Sequence, residues 1–473
     1  MRFDRLEPLG ASEIHRIHSA TMDVLANSGM LVTSDRALDL FRRHGIQVDN
    51  QIVRLTEADV EKALKCAPEG FVWMARDPEK SIYVGGDSYA FGPSGMSPFV
   101  TTREGVQRSS TLRDLEDFLR LTQMVDVINF NREAVTPNDV PEREQSLRSC
   151  LSAILLTDKP YSGMNLNAIR LLCIAYGIDE GTLRDRSLAG KAYGVGGINP
   201  MSPLMLSADQ ADRLMDLAHA GIPSIVASMP TAGVTAPCTL PGVLVLQNAE
   251  QLACLVLSQL AGPGVGFVYG CISTIANMRT GSAAIGAPEA RLLEHGSAQL
   301  ARFYGLPARG DGGLTDAFSC DFQAGAESAL HYSSVVRAGI HLIPGCGELA
   351  SWNSASLEKF VLDAENIRYV CRLVTSMEVD RDTMAVEVIR EVGPRGEFMS
   401  HPHTFGSFRT EFLYPSVFAR SDYDSWAKAG REEALDRAHR EVNRLLQEYE
   451  RPDIDPSVER DLERYVKTVT GET

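Results

Sequence analysis

Short strand-like pieces alternate with helical stretches of ten or more residues through the middle of the chain. The pieces cover 89–92, 127–130, 160–163, 192–196, 224–228, 265–269, 307–310 and 340–343. Regular alternation of this kind predicts parallel strands joined by right-handed helical crossovers. Eight units over about 260 residues are the number and size expected of a (β/α)8 TIM barrel. An open doubly wound sheet is the alternative, and it would not require eight units.

Two segments with other patterns flank this region. Residues 1–85 are predicted to form a helical cap, because Ser12 and Thr56 precede apolar residues at helical spacing and residues 34–43 repeat that pattern. Residues 86–380 are assigned to the barrel. Residues 381–473 are assigned to a C-terminal addition, which contains an aromatic-rich segment and a charged amphipathic helix.

Composition limits the partners that the chain can have. It carries 46 Lys and Arg against 62 Asp and Glu, which gives a net charge of −16. Nucleic acids and anionic membranes bind basic surfaces, so neither is expected as a partner. The most apolar region, 243–268, is interrupted by polar side chains, and the first residues lack the apolar core of a signal peptide. We therefore expect a cytoplasmic protein.

The residues that directly follow the predicted strands are rich in Gly, Pro, Met, Asn and Ser, and few of them titrate. His401 and His403, separated by one residue, form the closest histidine pair in the sequence, and no C-x-x-C pair occurs, so a metal site is not expected. A P-loop, a complete dinucleotide fingerprint and a nucleophile elbow are also missing from the sequence. Such a site suits a reaction in which another molecule brings the reactive centre and the protein positions the substrate.

Cysteine chemistry is the remaining possibility for a nucleophile. Cys271, Cys320 and Cys346 fall near predicted strand ends, but no basic residue adjoins any of them in sequence. A reactive thiol needs an electropositive environment, so buried reduced thiols are the favoured interpretation.

Nine short motifs run in a fixed order along almost the whole chain. They are FGPSG (91–95), PFV (98–100), TLRDLED (111–117), TDKP (157–160), GINPMSPL (197–204), GGLTD (312–316), DFQAGAE (321–327), VLDAE (361–365) and HPHTF (401–405). Together they resemble the trimethylamine methyltransferase family of corrinoid-dependent enzymes, which have a (β/α)8 barrel.

The resemblance implies an enzyme that moves a methyl group from a methylated amine to Co(I) of a corrinoid (cobalamin) carried by a separate corrinoid protein. It also implies self-association. Trimethylamine members carry pyrrolysine near the end of the seventh strand, close to 311–316 here, whereas this chain has only standard residues. Members without pyrrolysine are implied to demethylate quaternary amines such as glycine betaine, proline betaine, carnitine or butyrobetaine.

Glycine betaine, giving dimethylglycine, is the leading hypothesis for the substrate. Two alternative functions remain open. The first is a non-catalytic small-molecule-binding barrel, and the second is a barrel enzyme of another reaction class with Asp311, Asp316 or Glu348 as the base. Under the leading hypothesis Asp316 and Glu348 are the predicted catalytic groups, which act electrostatically beside the cation, and Asp311 is a weaker candidate. A solvated or N-cap role is the alternative for Asp316.

A quaternary ammonium ion is held by aromatic faces, each worth about 0.5–2 kcal/mol. The candidates are Phe99, Tyr193, Tyr269, Trp352, Phe405, Phe408 and Phe412, with core packing as the alternative for each. The carboxylate of a betaine needs donors. The candidates are Asn199, the amides of Gly312 and Gly313, His401, His403 and Arg409. Asn199 is the favoured donor, although a turn before Pro200 would also explain it.

Overall fold

The computed structural model describes residues 5–163 and 166–471, and its N-terminal part mixes helices with short strands. Ser34 and Thr56 cap their helices as N-cap acceptors, whereas the first helix begins after Gly10 rather than Ser12. The helices of the predicted cap are therefore present, and five strands accompany them that the sequence did not indicate. These elements are α1 (Ala11–Asn27), β1 (Met30–Val32), α2 (Asp35–Arg43), β2 (Gln47–Asp49), β3 (Ile52–Arg54), α3 (Glu57–Cys66), β4 (Phe71–Trp73) and β5 (Ile82–Val84).

The middle of the chain contains the helices and strands that build the core. The helices are α4 (Leu112–Met124), α5 (Glu142–Leu156), α6 (Leu166–Tyr176), α7 (Glu180–Leu188), α8 (Ala208–His219), α9 (Leu240–Ala261), α10 (Pro288–Phe303), α11 (Phe322–Ala338) and α12 (Leu357–Leu373). The strands are β6 (Ala90–Pro93), β7 (Phe99–Thr101), β8 (Gln107–Ser109), β9 (Lys191–Ala192), β10 (Gly196–Ile198), β11 (Met205–Leu206), β12 (Ser224–Ser228), β13 (Thr231–Ala232), β14 (Phe267–Cys271), β15 (Thr274–Ala276), β16 (Ala283–Ala284), β17 (Ala308–Arg309), β18 (Leu342–Cys346), β19 (Glu348–Leu349) and β20 (Ser354–Ala355).

Six of these strands form one curled parallel sheet, so the fold is mixed α/β. The strand order is β10-β12-β14-β17-β18-β6, and β6, the first in sequence, therefore pairs with β18, the last. The predicted pieces at 127–130 and 160–163 are not strands. Two isolated parallel bridges, Asn131–Tyr161 and Ser162–Val195, join the segments at these positions to each other and to the start of β10. The prediction of parallel strands alternating with helices is thus confirmed for six of the eight pieces.

The N-terminal strands extend two smaller sheets that include residues of the middle region. β1 pairs in parallel with β11, and β4 pairs in parallel with β9. Because these pairings join distant parts of the chain, the N-terminal region is hydrogen-bonded to the core rather than merely packed on it.

Helix α9 is the most apolar helix among the described residues and is long enough to cross a membrane by length and composition alone. In the structure 78% of its most apolar window is buried. Its amides also bind core backbone: Gln251 Nε2 donates to the carbonyl oxygens of Val226 and Gly270. The helix is therefore apolar because it is buried in the core of the protein.

The C-terminal region forms helices that pack on the outside of the core. Val442 of α16 (Ala434–Gln447) and Leu462 of α17 (Pro456–Thr470) are buried, so these helices are amphipathic and not fully solvated. The helices are α13 (Val386–Val392), α14 (Pro402–Glu411), α15 (Tyr423–Lys428), α16 (Ala434–Gln447) and α17 (Pro456–Thr470). The predicted boundaries between three parts of the chain remain a prediction.

Gly345 in β18 makes the first testable prediction. Its φ is +117°, and a Cβ atom there would lie 2.0 Å from the carbonyl oxygen of Gly312. Because backbone cannot yield as a side chain does, Gly345→Ala is expected to lower the free energy of unfolding by about 2–4 kcal/mol. Urea unfolding measures this. Gly325→Ala in α11 is the control, since its Cβ meets nothing within 4 Å, and it should be neutral or slightly stabilising. Equal effects of the two variants would contradict the prediction.

Candidate active site

A cavity of about 440 Å³ lies at the carboxyl ends of the sheet strands, where barrel-type enzymes place their catalytic groups. Most of its lining comes from the ends of strands and the loops after them, while α5 and α8 each contribute one side chain. The lining residues are Gly95, Met96, Phe130, Arg132, Glu133, Ser146, Ser162, Gly163, Gly197, Asn199, Arg213, Ile225, Ala227, Ile272, Arg309, Asp311, Leu342, Pro344, Glu348 and Trp352.

The charge of this cavity contradicts the expectation of a site with few titratable groups. Its lining carries three arginines and three acids: Arg132, Arg213, Arg309, Glu133, Asp311 and Glu348. Arg132 and Glu133 come just after the predicted strand piece at 127–130, so their position in the sequence was a signal that they face the cavity. Arg309 lies within β17 and Arg213 within α8, so no pattern in the sequence indicated that they face the cavity.

Asp311 is held so that one carboxylate oxygen stays available. Its Oδ1 accepts a hydrogen bond from Arg309 Nη2 at 2.6 Å, and its backbone amide donates to Glu294 Oε1 at 3.0 Å. The other oxygen, Oδ2, is buried and has no hydrogen-bond partner among the described residues. An unpaired buried carboxylate oxygen is costly, so this atom is a candidate for contact with a bound cation.

Glu348 lies on the same wall and is almost fully buried. Burial raises the pKa of Glu348 well above its ordinary value, and the nearby Asp311 carboxylate raises it further, while Arg132, Arg309 and Lys359 oppose this. Burial also raises the pKa of Asp311, against Arg309, Arg132 and Arg291. Glu133 titrates in the same surroundings, and burial raises its pKa too. The pair Asp311–Glu348 therefore gains full negative charge only at a pH above the ordinary range for carboxylic acids.

The raised pKa values predict a pH-dependent affinity for cations. Below these pKa values the two acids are neutral and attract a cation weakly, and above them they are ionised and attract it strongly. The affinity for tetramethylammonium, a cation that does not titrate, should thus rise with pH through the raised pKa values. Calorimetric titration from pH 5 to pH 9 measures this. The double variant Asp311→Asn/Glu348→Gln should bind weakly at every pH, and retention of the wild-type profile in it would contradict the assignment.

Arg132 places its guanidinium in the cavity directly over Gly95. A Cβ atom on Gly95 would lie 2.2 Å from Arg132 Nη2, so this position has room for the guanidinium only because residue 95 is glycine. Within the described ranges no residue hydrogen-bonds to the Arg132 guanidinium or forms an ion pair with it. Arg309, in contrast, is bonded to Asp311 and to the carbonyl oxygen of Cys271.

Phe130 and Trp352 are the aromatic side chains in the lining. Gly92 makes room for the ring of Phe130, since a Cβ there would lie 2.2 Å from Phe130 Cε2. Trp352 follows Ala350 and Ser351, and all three have left-handed backbones, with φ of 53°, 54° and 66°. Such conformations are unfavourable for residues other than glycine, and they persist where surrounding contacts fix them.

Asp316 supplies one of the contacts that fix this turn. Its Oδ1 accepts hydrogen bonds from Ser351 Oγ at 2.6 Å and from the amide of Ile285, and its Oδ2 accepts from the amide of Gly286. Asp316 does not line the cavity. Its contacts join the turn before Trp352 to another loop, so the structure gives it a positioning role, and the predicted catalytic role receives no support from its location.

The loop after β17 is held from three helices. In α10 Glu294 accepts from Asp311, and in α11 His331 Nδ1 accepts from the amide of Leu314 at 3.2 Å. In α12 Lys359 Nζ donates to the carbonyl oxygen of Gly313 at 3.1 Å. Since His331 Nδ1 is an acceptor, Nε2 carries the proton and donates to Glu294 Oε2 at 3.0 Å. These contacts fix the loop that carries Asp311.

Glu348, Asn199 and Trp352, together with the weaker candidate Asp311, are the sequence-predicted residues that line the cavity. Tyr193 and Tyr269 are buried elsewhere. The Tyr193 hydroxyl accepts from Arg186 Nη1, and the Tyr269 hydroxyl donates to Asn248 in α9. Consecutive strand residues face opposite sides of a sheet, which explains why an aromatic residue in β14 faces a helix instead of the cavity.

The other candidates also lie outside the lining. The amide of Gly312 donates to the carbonyl oxygen of Pro344, and the Gly313 carbonyl accepts from Lys359 and Ser328. Phe99 is 40% exposed in β7. His401 is the N-cap of α14 and accepts from the amide of His403. The remaining candidates belong to α14 or directly follow it, and their contact with substrate stays a prediction: His403, Phe405, Phe408, Arg409 and Phe412. Met164 and Asn165, which follow one predicted strand piece, lie outside the described residues.

The three cysteines near strand ends are not poised as nucleophiles. Burial raises the pKa of Cys271 and of Cys320 to about 12 each, and raises that of Cys346 well above its ordinary value. A thiol must ionise to act as a nucleophile. None of the three lines the cavity.

Comparison with known proteins identifies the family of the chain. The family model described as trimethylamine methyltransferase (MTTB) matches residues 1–473. The chain belongs to the trimethylamine methyltransferase family. The resemblance read from the motifs is therefore confirmed, and the protein is a methyltransferase.

Curated members of the family are similar over nearly their whole length. A glycine betaine methyltransferase of Desulfitobacterium hafniense (strain Y51) is 34% identical over 466 residues, which cover 97% of this chain and 96% of that protein. An L-carnitine:corrinoid methyltransferase of Eubacterium limosum is 30% identical, with 93% of each chain covered. The trimethylamine methyltransferase MttB of Desulfitobacterium hafniense (strain DSM 10664 / DCB-2) is 31% identical, with 92% of this chain and 88% of that protein covered.

Among solved structures, the monomethylamine methyltransferase of Methanosarcina barkeri superposes with a TM-score of 0.50 and 9% identity, covering 93% of this chain and 98% of that chain. At that identity the likeness concerns the fold alone.

Proposed function

We propose that this methyltransferase moves a methyl group from a quaternary amine with a carboxylate, glycine betaine in the first place, to the corrinoid of a separate corrinoid protein in the cytoplasm. The observation that carries the proposal is the cavity at the strand ends, whose wall combines the free guanidinium of Arg132 with the carboxylates of Asp311 and Glu348. Opposite charges in one small cavity complement a zwitterion.

The relatives agree with this choice of substrate class. Both a glycine betaine and an L-carnitine enzyme are at least 30% identical to this chain over more than nine-tenths of its length. Glycine betaine and carnitine each carry a trimethylammonium group and a carboxylate. Proline betaine, carnitine and butyrobetaine remain alternatives, because the cavity volume of about 440 Å³ is larger than a small betaine requires.

The chemistry requires positioning more than acid–base catalysis. A quaternary nitrogen bears its positive charge already, so the nitrogen becomes uncharged when the methyl carbon departs, and no proton has to be supplied. The faces of Phe130 and Trp352 and the acids Asp311 and Glu348 attract the cation. Held by these groups and by Arg132, the substrate keeps one methyl group directed toward the cavity mouth.

The cavity is open to a methyl acceptor at the surface. Met96 belongs to the lining and yet is 58% exposed, so one wall of the cavity reaches solvent. The corrinoid of the partner supplies the Co(I) nucleophile that accepts the methyl group. Met96 gives this opening an apolar side chain that suits a flat macrocycle.

We also propose that the sheet belongs to a complete (β/α)8 barrel. Pairing of the first strand with the last makes the strand order cyclic, and the bridged segments at Asn131 and Tyr161 lie between β6 and β10. These are the two places that a ring of eight strands requires.

A methyl-transfer assay tests the function. Purified protein, a corrinoid protein reduced to Co(I), and a panel of glycine betaine, proline betaine, carnitine, butyrobetaine and trimethylamine are followed by the visible spectrum of the corrinoid. Methylation with glycine betaine and not with trimethylamine is the expected result. If only a longer or cyclic betaine methylates the corrinoid, the substrate assignment changes and the reaction stays the same. If no donor methylates it, the proposed function is refuted and a binding protein is favoured.

A further inference from the structure

We propose that Arg132 binds the carboxylate of the substrate while Asp311 and Glu348 face its quaternary nitrogen, so that the cavity selects zwitterions over simple quaternary cations. This assignment rests on the proposed function and adds to it which residue recognises which end. It makes Arg132 the residue that determines specificity among quaternary amines.

The first argument is the different pairing of the cavity's charges. Arg309 is already bonded to Asp311 Oδ1 at 2.6 Å, whereas the guanidinium of Arg132 has no hydrogen bond to any described residue. A guanidinium presents several donors in a plane and binds a carboxylate through two parallel hydrogen bonds. Of these two arginines, Arg132 is therefore the one whose donors are free for an anionic group.

The second argument is that Gly95 leaves space for the guanidinium of Arg132 in the cavity. Gly95 lies so close that any Cβ would overlap Nη2, which means that the guanidinium covers the backbone of the FGPSG motif. Burial lowers the pKa of Arg132, and the neighbouring Arg309 lowers it further, against the acids Asp311, Glu348 and Glu133. A partly buried guanidinium without a direct partner gains from a ligand that supplies negative charge.

The third argument comes from the two acids of the cavity. Asp311 Oδ2 is buried and unpartnered within the described part of the chain, and Glu348 receives only a 3.5 Å contact from Ser97 Oγ. A trimethylammonium group cannot donate conventional hydrogen bonds, so it is held by charge and by aromatic faces instead of by donors. Carboxylate oxygens with no donor or only a distant one are suited to such a group.

Binding of two ligands to two variants separates the roles. Glycine betaine carries both charges, and tetramethylammonium carries only the cation. Arg132→Met should weaken glycine betaine about 10- to 100-fold, the range for losing hydrogen bonds to a charged group, and leave tetramethylammonium unchanged or slightly tighter. Asp311→Asn should weaken both ligands. Arg143→Met on the surface of α5, where the side chain is 80% exposed, is the control and should change neither.

Gly95→Ala tests the same assignment without removing a charge. The added methyl group meets the flexible end of Arg132 instead of backbone, so the protein should stay folded while the guanidinium is displaced. It should thus weaken glycine betaine and spare tetramethylammonium, as Arg132→Met does. Far-ultraviolet circular dichroism and thermal unfolding verify folding of each variant.

Calorimetry measures these affinities without a corrinoid, so the result is independent of methyl transfer. Equal losses for both ligands in Arg132→Met, no loss for either, or wild-type protein that binds no carboxylated quaternary amine would overturn the assignment. A selective loss of glycine betaine together with failed methyl transfer would uphold the assignment and refute the proposed function.

Discussion

Replacing Lys359 by methionine is expected to lower the free energy of unfolding by about 3–5 kcal/mol, the range for removing one partner of a buried ion pair. Lys359 Nζ donates to both carboxylate oxygens of Asp363 at 2.7 and 2.6 Å, to Ser328 Oγ at 2.7 Å and to the carbonyl oxygen of Gly313. The Lys359 and Asp363 side chains are 3% and 0% exposed. Removal of the ammonium therefore leaves a buried carboxylate, a hydroxyl and a carbonyl without their shared donor.

Most of that loss should disappear in the double variant Lys359→Met/Asp363→Leu. A buried ion pair replaced by apolar side chains of similar size is often neutral, because the cost of removing both charges from water vanishes with them. Urea unfolding of the two single variants and the double variant measures the coupling between the residues. A single variant that loses less than about 1 kcal/mol would contradict the account, as an exposed pair would behave in that way.

The same variant should affect the active site, because Lys359 holds Gly313 in the loop that carries Asp311. We expect weaker tetramethylammonium binding in Lys359→Met even where the protein remains folded. The double variant does not restore the hydrogen bond to Gly313, so its stability should recover more completely than its affinity.

The alternation of strands and helices could be predicted from the sequence because it follows from local patterns of apolar and polar residues. Strand pieces and helices recur at the spacing of parallel crossovers, and residues 208–219 and 322–338 are helical as expected. Two pieces did not become strands. The segments around Asn131 and Tyr161 carry single bridges, and whether such a segment forms a ladder depends on its neighbours in space.

The candidate site was predictable only in part, for a related reason. Asn199 directly follows β10 and Glu348 comes two positions after the end of β18, so their place in the sequence indicated the cavity, whereas Trp352 was a candidate only as an aromatic residue. Arg309 lies within β17, where only the orientation of the strand decides whether its side chain faces the cavity. The short distance between Gly95 and Arg132 joins two segments 37 positions apart, and no spacing in a single sequence reveals it.

The aromatic residues of 398–418 illustrate a different limit of local sequence patterns. Phe405 and Phe408 have the spacing of a helix face, and the structure places them on α14 outside the cavity lining. A shared helix face is a local property, whereas a ligand cage requires residues from several distant segments. Aromatic content alone could not distinguish the two.

Replacing Asp311 by asparagine is expected to raise KM for glycine betaine about 30- to 100-fold while kcat stays equal or rises. At an effective dielectric constant of about 20, a carboxylate close to a cation contributes up to about 4 kcal/mol to the free energy of binding. Arg309 offsets part of the charge of Asp311, so we expect a contribution of roughly 2–3 kcal/mol, which corresponds to this change in KM. Asparagine keeps an oxygen for Arg309 Nη2 and the backbone amide for Glu294, so the loop should remain in place.

The direction of the effect on kcat follows from the fate of the charge. The substrate nitrogen is fully positive in the ground state and approaches neutrality as the methyl group leaves, so Asp311 attracts the bound substrate more strongly than it attracts the transition state. An interaction of that kind lowers KM without raising kcat. Steady-state kinetics with a corrinoid acceptor at pH 8 measures both constants, and Asp87→Asn at an exposed position is the matched control. A fall in kcat at unchanged KM would instead make Asp311 a group that acts on the transition state, and the electrostatic assignment would have to be abandoned.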